Sequence, residues 1–382
     1  MQNRNFIIVL MAWFIILTGF CFTIFPYQDS FYYWTWSQKL QLSYYDGPPL
    51  IAYTLRFFTQ IFGNTVFSIN FLGVISAYLS AYYIFKISKA LNDSTKVAQF
   101  ATILFLTYPF VTTRFIYNNM TYDCLENLCY IIISYYIILF LLTRKYNYWL
   151  LIGFFSGLAM LSKYSAVVLF LAIFIFFISY GLKYKIFMHW QLYAGILICL
   201  IMFFPVIYWN YINDWISFKY QLNSHKWIGE VGSINSSDKY GLPGMWFYIL
   251  NCIMATYHIL ILILAIALIK YKYKPLGNIG ERFLFILFLV FILFWLYISY
   301  SSHVGLNYAL PVVFVLIYFV AKFLAGNNLN KVFSVLILSF SVISIGMMVD
   351  HSLIKNGNIN NYNKFIKSGL IKQPLQIWSI PK

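Results

Sequence analysis

The chain has 382 residues, of which 62% are hydrophobic, 22% are aromatic and only 9% are charged. A soluble domain carries about 25% charged residues, so the composition excludes an ordinary soluble protein and indicates a chain that crosses a membrane many times. The net charge of +16 reflects first the excess of Lys and Arg in the cytoplasmic loops of membrane proteins. The sequence holds no nucleotide-binding fingerprint and no Gly-rich phosphate loop, and we expect no nucleic-acid partner.

Apolar segments predict an all-α integral membrane protein with about eleven transmembrane helices. In chain order, the predicted spans cover residues 6–26, 64–85, 97–117, 122–142, 148–162, 164–181, 191–210, 245–269, 283–301, 308–325 and 332–349. Several are shorter than the about 20 residues that cross a bilayer, and two of them abut at Ser162-Lys163. The number of spans is therefore approximate.

The charges of the loops predict which face of the membrane each loop occupies. With the N-terminus in the cytoplasm, most basic residues of the loops lie on the cytoplasmic side, as the positive-inside rule requires. Of the 10 acidic residues, only Asp93 and Glu281 then fall on that side. Acidic residues contribute little to orientation, so their excess on the outer face needs another cause, and a reaction centre there would supply one.

Two long outer loops interrupt the predicted membrane domain, which covers residues 1–350 and precedes a polar C-terminal tail, 351–382. The first loop covers residues 27–63, and the second covers residues 211–244. The second mixes charged, aromatic and turn residues. Because long ordered loops in compact proteins tend to be functional, we expect both loops to contribute to a site.

The first outer loop holds Asp29 and Asp46 with an aromatic-rich segment between them. Pro48-Pro49 favours a helix start and Gly63 favours a helix stop, so we expect interfacial helices in this loop. Carboxylates beside a bilayer are costly unless they have a function, which makes both acids candidate reactive groups. The alternative is an ordinary interfacial loop whose Trp and Tyr side chains anchor the chain among the lipid headgroups.

Charged and amide side chains near the outer ends of the spans form the predicted site. Breaking a sugar–phosphate bond needs cations that neutralise the leaving phosphate and a carboxylate that takes the proton of the attacking hydroxyl. Single residues also have simpler explanations, because Asp29 and Asp123 suit helix N-caps and Lys163 could extend to the interface. The candidate residues are Asp29, Asp46, Arg114, Asp123, Lys163, His225, Lys226 and Asn307.

Several segments resemble one known family. The segment DSFYYWTWSQKLQLSYYDGPPLIAY, residues 29–53, resembles the first outer loop of bacterial glycosyltransferases related to protein O-mannosyltransferases and to the aminoarabinose transferase of lipid A. The likeness continues in Gly157–Ala166 and in Phe204–His225, and it is weaker at Tyr122-Asp123 and at Val304–Pro311. The resemblance therefore extends, in order, over most of the chain.

This resemblance implies a GT-C membrane fold and a polyprenyl-phosphate sugar donor that reacts on the outer, periplasmic face of the bacterial inner membrane. It implies catalytic roles for Asp29 and Asp123, and it makes Lys163 a contact of the donor phosphate. The other candidates named above would bind the substrate or its phosphate. No cofactor is implied beyond a divalent metal ion, which Asp46 and His225 would help to hold if this chain uses one.

Together these features predict a membrane glycosyltransferase that moves a sugar from a polyprenyl-phosphate donor, such as one built on undecaprenyl phosphate, to an acceptor in the cell envelope. Lipid A or lipopolysaccharide is the first choice of acceptor, because no peptide-binding domain is visible, and a protein hydroxyl is the second. A transporter or flippase of lipid-linked sugars stays open, although it favours charges at mid-membrane. A non-catalytic scaffold also stays open, because Ser30 and Gly47 replace residues that relatives often carry as Glu and as His or Lys.

Overall fold

The computed structural model describes residues 3–24, 28–113, 115, 122–180, 185–227, 241–251, 257–300 and 304–367. Across these residues the chain is helical, apart from turns and an isolated antiparallel bridge between Tyr44 and Gly47. The helices are α1 Asn3–Thr23, α2 Gln28–Gln38, α3 Leu50–Phe62, α4 Val66–Asn92, α5 Thr95–Thr107, α6 Pro109–Thr112, α7 Tyr122–Thr143, α8 Tyr148–Ser162, α9 Val167–Tyr180, α10 Trp190–Ile212, α11 Ile216–Trp227, α12 Leu242–Asn251, α13 His258–Tyr271, α14 Ile279–Ile298, α15 Val313–Gly326 and α16 Asn330–Lys367.

Six described helices are long and apolar enough to cross a membrane, and they coincide with six of the predicted spans. They are Asn3–Thr23, Val66–Asn92, Tyr122–Thr143, Trp190–Ile212, Ile279–Ile298 and Asn330–Asp350. The other predicted spans correspond to shorter apolar helices, and one of them, 245–269, is divided between α12 and α13. The prediction of an all-α membrane bundle is confirmed, whereas the number of about eleven spans stays a prediction.

The predicted span 97–117 ends earlier than expected, because α5 stops at Thr107. Tyr108 adopts an extended conformation, with φ −62° and ψ 120°, directly before Pro109. A residue that precedes proline is driven out of the helical region by contact with the proline ring. The chain then restarts as the short α6.

Buried helices form the centre of the bundle. In the apolar stretch of α7, 72% of the residues are buried, compared with 17% in the apolar stretch of α1 and 22% in that of α16. α5 is buried along its length from Val97 to Thr107. α7 is therefore a central helix on which the others pack, and any side chain at its first turn is held by a rigid core.

The contact between α8 and α10 depends on glycine. A Cβ atom on Gly195 would lie 2.2 Å from the carbonyl oxygen of Trp149, and one on Gly153 would lie 2.1 Å from the carbonyl oxygen of Gly195. Small residues allow such close approach of helix backbones in membranes. The crossing fixes the course of α8, which ends next to Lys163.

Polar contacts mark the two ends of the bundle. At one end, Glu281 at the start of α14 accepts a hydrogen bond from Tyr318 Oη at 2.6 Å and pairs with Lys322. Asn92, the last residue of α4, also contacts Tyr318 Oη, at 2.5 Å. The start of α7 and the end of α8 meet at the opposite end, where Ser162 Oγ donates to the carbonyl oxygen of Tyr122 at 2.7 Å.

The first outer loop folds as two helices that close on their own apolar cluster. α3 begins after Pro49 and ends at Gly63, whose φ of 74° favours glycine, as the sequence predicts. Tyr33 and Trp36 of α2 are only 4% and 7% exposed. The Trp36 ring stacks on Tyr44 at 4.1 Å. These aromatic side chains pack inside the protein, so the alternative in which they only anchor an interfacial loop is wrong for this pair.

Candidate active site

A buried ion pair lies at the centre of the candidate site. Lys163 Nζ is 2.5 Å from Asp123 Oδ1, and the side chains of both residues are less than one-tenth exposed, at 8% and 9%. Asn307 Nδ2 donates to the same carboxylate oxygen at 3.3 Å. Asp123 occupies the first turn of α7, where the positive end of the helix dipole favours a carboxylate. Three predicted site residues, distant in sequence, thus meet at one point.

Two tyrosine rings flank the ammonium group of Lys163. Its Nζ lies 4.2 Å from the ring centroid of Tyr308 and 4.9 Å from that of Tyr122. Tyr308 in turn packs on Trp295 at 4.1 Å between centroids. Aromatic faces attract cations at these distances, so the rings help to hold the ammonium group of Lys163 in place.

The two outer loops meet over this ion pair. Asp46 Oδ1 accepts a hydrogen bond from Tyr32 Oη at 3.0 Å, and Gln221 of α11 donates to the carbonyl oxygen of Asp46. The rings of Tyr45 and Tyr220 lie 4.8 Å apart. The turn after α2 is therefore joined to α11, which belongs to the second predicted outer loop.

Tyr164 links these loops to the residue that follows the end of α8. Its Oη shares a hydrogen bond with Ser217 Oγ at 2.9 Å and with Ser43 Oγ at 3.3 Å. Because Tyr164 follows Lys163 directly, the loops are attached to the chain next to the ammonium group. The first loop, α11 and the end of α8 thus form one surface around the ion pair.

Asp29 lies in the first turn of α2 with an exposed side chain. The pKa of Asp29 is raised, chiefly because neighbouring protein groups remove part of the hydration of its carboxylate and secondly because Asp123 carries a negative charge. Burial raises the pKa of Asp46 to about 6, and the hydrogen bond from Tyr32 opposes that rise. A carboxylate with a raised pKa is a better proton acceptor at neutral pH, so this end of the bundle is suited to general-base chemistry.

Of the eight predicted site residues, the structure brings Asp123, Lys163 and Asn307 into direct contact. Asp29 lies near enough to Asp123 and to Asp46 for their charges to interact. Arg114 lies outside the described residues. The backbone of His225 and Lys226 belongs to α11, but their side chains lie outside the described part of the chain. Among the described residues, no three His, Cys, Asp or Glu side chains form a group that could hold a metal ion. The metal predicted on Asp46 and His225 stays a prediction.

Several residues of the site were not predicted from the sequence. Tyr32, Gln221 and Tyr308 contact the predicted residues directly. Tyrosine is so abundant in this chain, with 34 residues, that no single one stands out. Glu126 is 2% exposed and lies one helical turn after Asp123. The spacing of three residues between these acids places both on one helix face. This spacing could have indicated Glu126 as a neighbour of Asp123 from the sequence alone.

Known proteins resemble this chain in sequence and in fold. A family model described as dolichyl-phosphate-mannose-protein mannosyltransferase matches residues 46–209. The chain superposes with a TM-score of 0.68 on the crystal structure of ArnT from Cupriavidus metallidurans bound to undecaprenyl phosphate, over 94% of this chain and 78% of that one, at 12% identity. The chain therefore shares the fold of ArnT. The predicted GT-C fold is thereby confirmed.

Two further relatives extend the GT-C comparison. The archaeal oligosaccharyltransferase AglB from Archaeoglobus fulgidus, in complex with an inhibitory peptide and a dolichol-phosphate, gives a TM-score of 0.50 at 12% identity over 92% of this chain and 56% of that one. The lipid A galacturonosyltransferase RgtD from Rhizobium johnstonii is 32% identical over 93 residues, 23% of this chain. That alignment spans only 20% of the length of RgtD.

The family match covers only part of the candidate site. Asp46, Asp123 and Lys163 fall within residues 46–209, whereas Asp29 and Asn307 lie outside that range. For these two residues, the roles depend on the sequence resemblance and on the contacts described above.

Proposed function

We propose that this protein transfers a sugar from a polyprenyl-phosphate donor to an acceptor of the cell envelope, on the outer face of the bacterial inner membrane. One observation carries the proposal: the ammonium group of Lys163 is held by Asp123, whose carboxylate also accepts a hydrogen bond from Asn307, at the end of the bundle where the first outer loop contributes Asp29 and Asp46. A cation and several carboxylates, placed together beside apolar helices, suit a lipid-linked phosphate and the hydroxyl that attacks it.

The proposed reaction is a substitution at the anomeric carbon of the sugar. The acceptor oxygen forms a bond to that carbon, and the bond between the carbon and the phosphate oxygen breaks with its electron pair remaining on the phosphate. Lys163 neutralises the charge that develops on the phosphate. Asp29, with its exposed side chain and raised pKa, accepts the proton of the attacking hydroxyl. Asp123 fixes Lys163 in place through the 2.5 Å contact.

The donor class is supported by the solved relatives. The crystal structure of ArnT holds undecaprenyl phosphate, and the structure of AglB is a complex with a dolichol-phosphate. Both ligands are polyprenyl phosphates, in which a phosphate is joined to a long apolar chain. Arg114, His225 and Lys226 are proposed as further contacts of the substrate or its phosphate, because cations neutralise a leaving phosphate.

A lipid A or lipopolysaccharide sugar is the acceptor that we favour. The local similarity to a lipid A galacturonosyltransferase supports it. A protein hydroxyl is the second candidate, and the description of the matching family, a protein mannosyltransferase, supports that choice. The two acceptors differ in where the transferred sugar is found, which makes them separable by experiment.

Mass spectrometry of the cell envelope, with and without the protein, tests the proposal. We expect one lipid species to gain the mass of a single sugar when the protein is present. The same gain on a peptide would instead identify a protein acceptor. Unchanged lipids and proteins, together with protein-dependent movement of a lipid-linked sugar across vesicle membranes, would favour a flippase over the transferase.

A further inference from the structure

Lys163 lies at a break between two helical segments. Its backbone is extended, with φ −154° and ψ 139°, between the end of α8 at Ser162 and a short 3-10 helix, Tyr164–Ala166. Regular helix geometry therefore does not set the direction of the Lys163 side chain. A long, flexible side chain at such a break needs other contacts if its ammonium group is to stay in one place.

Groups of α7, one from the backbone and two from side chains, hold the chain on both sides of this break. On one side, Ser162 Oγ donates to the carbonyl oxygen of Tyr122 at 2.7 Å. On the other side, Ser165 Oγ donates to Glu126 Oε1 at 2.5 Å. Tyr130 Oη also donates to the carbonyl oxygen of Ser165, at 3.1 Å. Since Asp123 lies on the same helix, α7 fixes both the backbone of Lys163 and the partner of its ammonium group.

Glu126 is the unusual member of this set. It is a carboxyl group with 2% exposure in a helix that is apolar over most of its length. A buried carboxyl is costly in a membrane protein, and Ser165 is the residue that satisfies it with a hydrogen bond. Glu126 lies one turn after Asp123 and is enclosed by protein, so it acts on the site through its neighbours.

We propose that Glu126 is a positioning residue for Lys163. By accepting the hydrogen bond of Ser165, it holds the break in the geometry that presents the Lys163 ammonium group to the donor phosphate. This inference rests on the proposed function, because it assigns the phosphate of the donor to Lys163. It predicts that loss of the contact between Glu126 and Ser165 weakens phosphate binding, and that the loss acts only when Lys163 is present.

Substitutions can separate the hydrogen bond from the bulk of the side chain. Glu126→Gln keeps a carbonyl oxygen that accepts from Ser165, whereas Glu126→Met removes the acceptor at similar size. Ser165→Ala removes the donor from the other side. Ser134→Ala is the matched control: Ser134 is also buried in α7, and its Oγ has no hydrogen-bond partner among the described residues.

The experiment measures the dissociation constant for undecaprenyl phosphate on the full-length protein in detergent, after gel filtration has selected folded protein. We expect Glu126→Met and Ser165→Ala to weaken binding about tenfold, the ratio that corresponds to loss of one hydrogen bond to a charged group. Glu126→Gln and Ser134→Ala keep the wild-type affinity. In a Lys163→Met background, which itself weakens binding, Glu126→Met has no further effect.

The possible outcomes distinguish this inference from the function on which it rests. Wild-type affinity in Glu126→Met, or an equal loss in the presence and absence of Lys163, would show that Glu126 has only a structural role. If Glu126→Met does not fold, Ser165→Ala carries the same comparison in both backgrounds. Folded wild-type protein that does not bind undecaprenyl phosphate would remove the proposed donor class, and this inference with it.

Discussion

Replacement of Lys163 by methionine tests whether the central ion pair is as buried as its geometry indicates. The side chains of Lys163 and Asp123 are only 8% and 9% exposed, and their atoms lie 2.5 Å apart. Removal of one partner from a buried pair costs about 3–5 kcal/mol, because the remaining charge stays buried without compensation. Asn307 offers Asp123 one hydrogen bond, at 3.3 Å, which offsets part of that cost. We therefore expect Lys163→Met to lose several kcal/mol of stability.

A second substitution should restore most of this loss. In the double variant Asp123→Asn/Lys163→Met, neither position of the pair carries a buried charge, and replacement of both members of a buried pair is often close to neutral. The assay is the fraction of purified protein that stays monomeric in detergent after heating, recorded as an inactivation rate because membrane proteins often unfold irreversibly. Lys145→Met, a change at an exposed lysine in the loop between α7 and α8, serves as the control.

Two results would refute the reasoning. One is a Lys163→Met variant that is as heat-resistant as the Lys145→Met control. The other is a double variant that is less stable than Lys163→Met. Either result would mean that Asp123 is hydrated or has sufficient other partners, so that its position does not depend on Lys163.

Two further predictions concern the first loop and the helix crossing. The pKa of Asp46 rises from 3.8 to about 6 on folding, so the folded state binds the extra proton and heat resistance should fall as pH rises through that interval. Asp46→Asn should flatten the pH dependence of heat resistance in that interval. Tyr32→Phe should extend the fall to higher pH, because it removes a hydrogen bond that lowers the pKa of Asp46. An unchanged pH dependence in both variants would contradict the raised pKa of Asp46. Gly195→Ala should cost about 1–3 kcal/mol through overpacking against Trp149, whereas Gly346→Ala, with open space around it, should not change the yield of folded protein.

Much of the site could be predicted because its chemistry needs residue types that are rare in this chain. With only 9% charged residues, the acids and the lysine near the outer ends of the spans were conspicuous. The structure brings Asp123, Lys163 and Asn307 into direct contact. The helix between Pro49 and Gly63 was predictable for a similar reason, because proline and glycine restrict backbone geometry in known ways.

Other features could not be predicted because their signals are not local. The tyrosine rings around Lys163 belong to residues 122 and 308, and only the folded chain brings these distant positions together. The close contact of α8 and α10 at Gly195 depends on which faces of two apolar helices meet, and composition is nearly uniform around such helices. Span length is a poor guide where helices such as α15 are short but buried among others.

The proposed reaction is tested most directly by replacement of Asp29 with asparagine. The side chain keeps its shape but cannot take up a proton, and general-base catalysis contributes about 10²–10⁴-fold to rate. Because Asp29 is exposed, the variant should fold and reach the membrane at the level of the wild type. In cells that lack the endogenous protein, we expect the wild type to restore the sugar-modified envelope species and Asp29→Asn to leave it undetected. Full restoration by a folded Asp29→Asn variant would contradict the account.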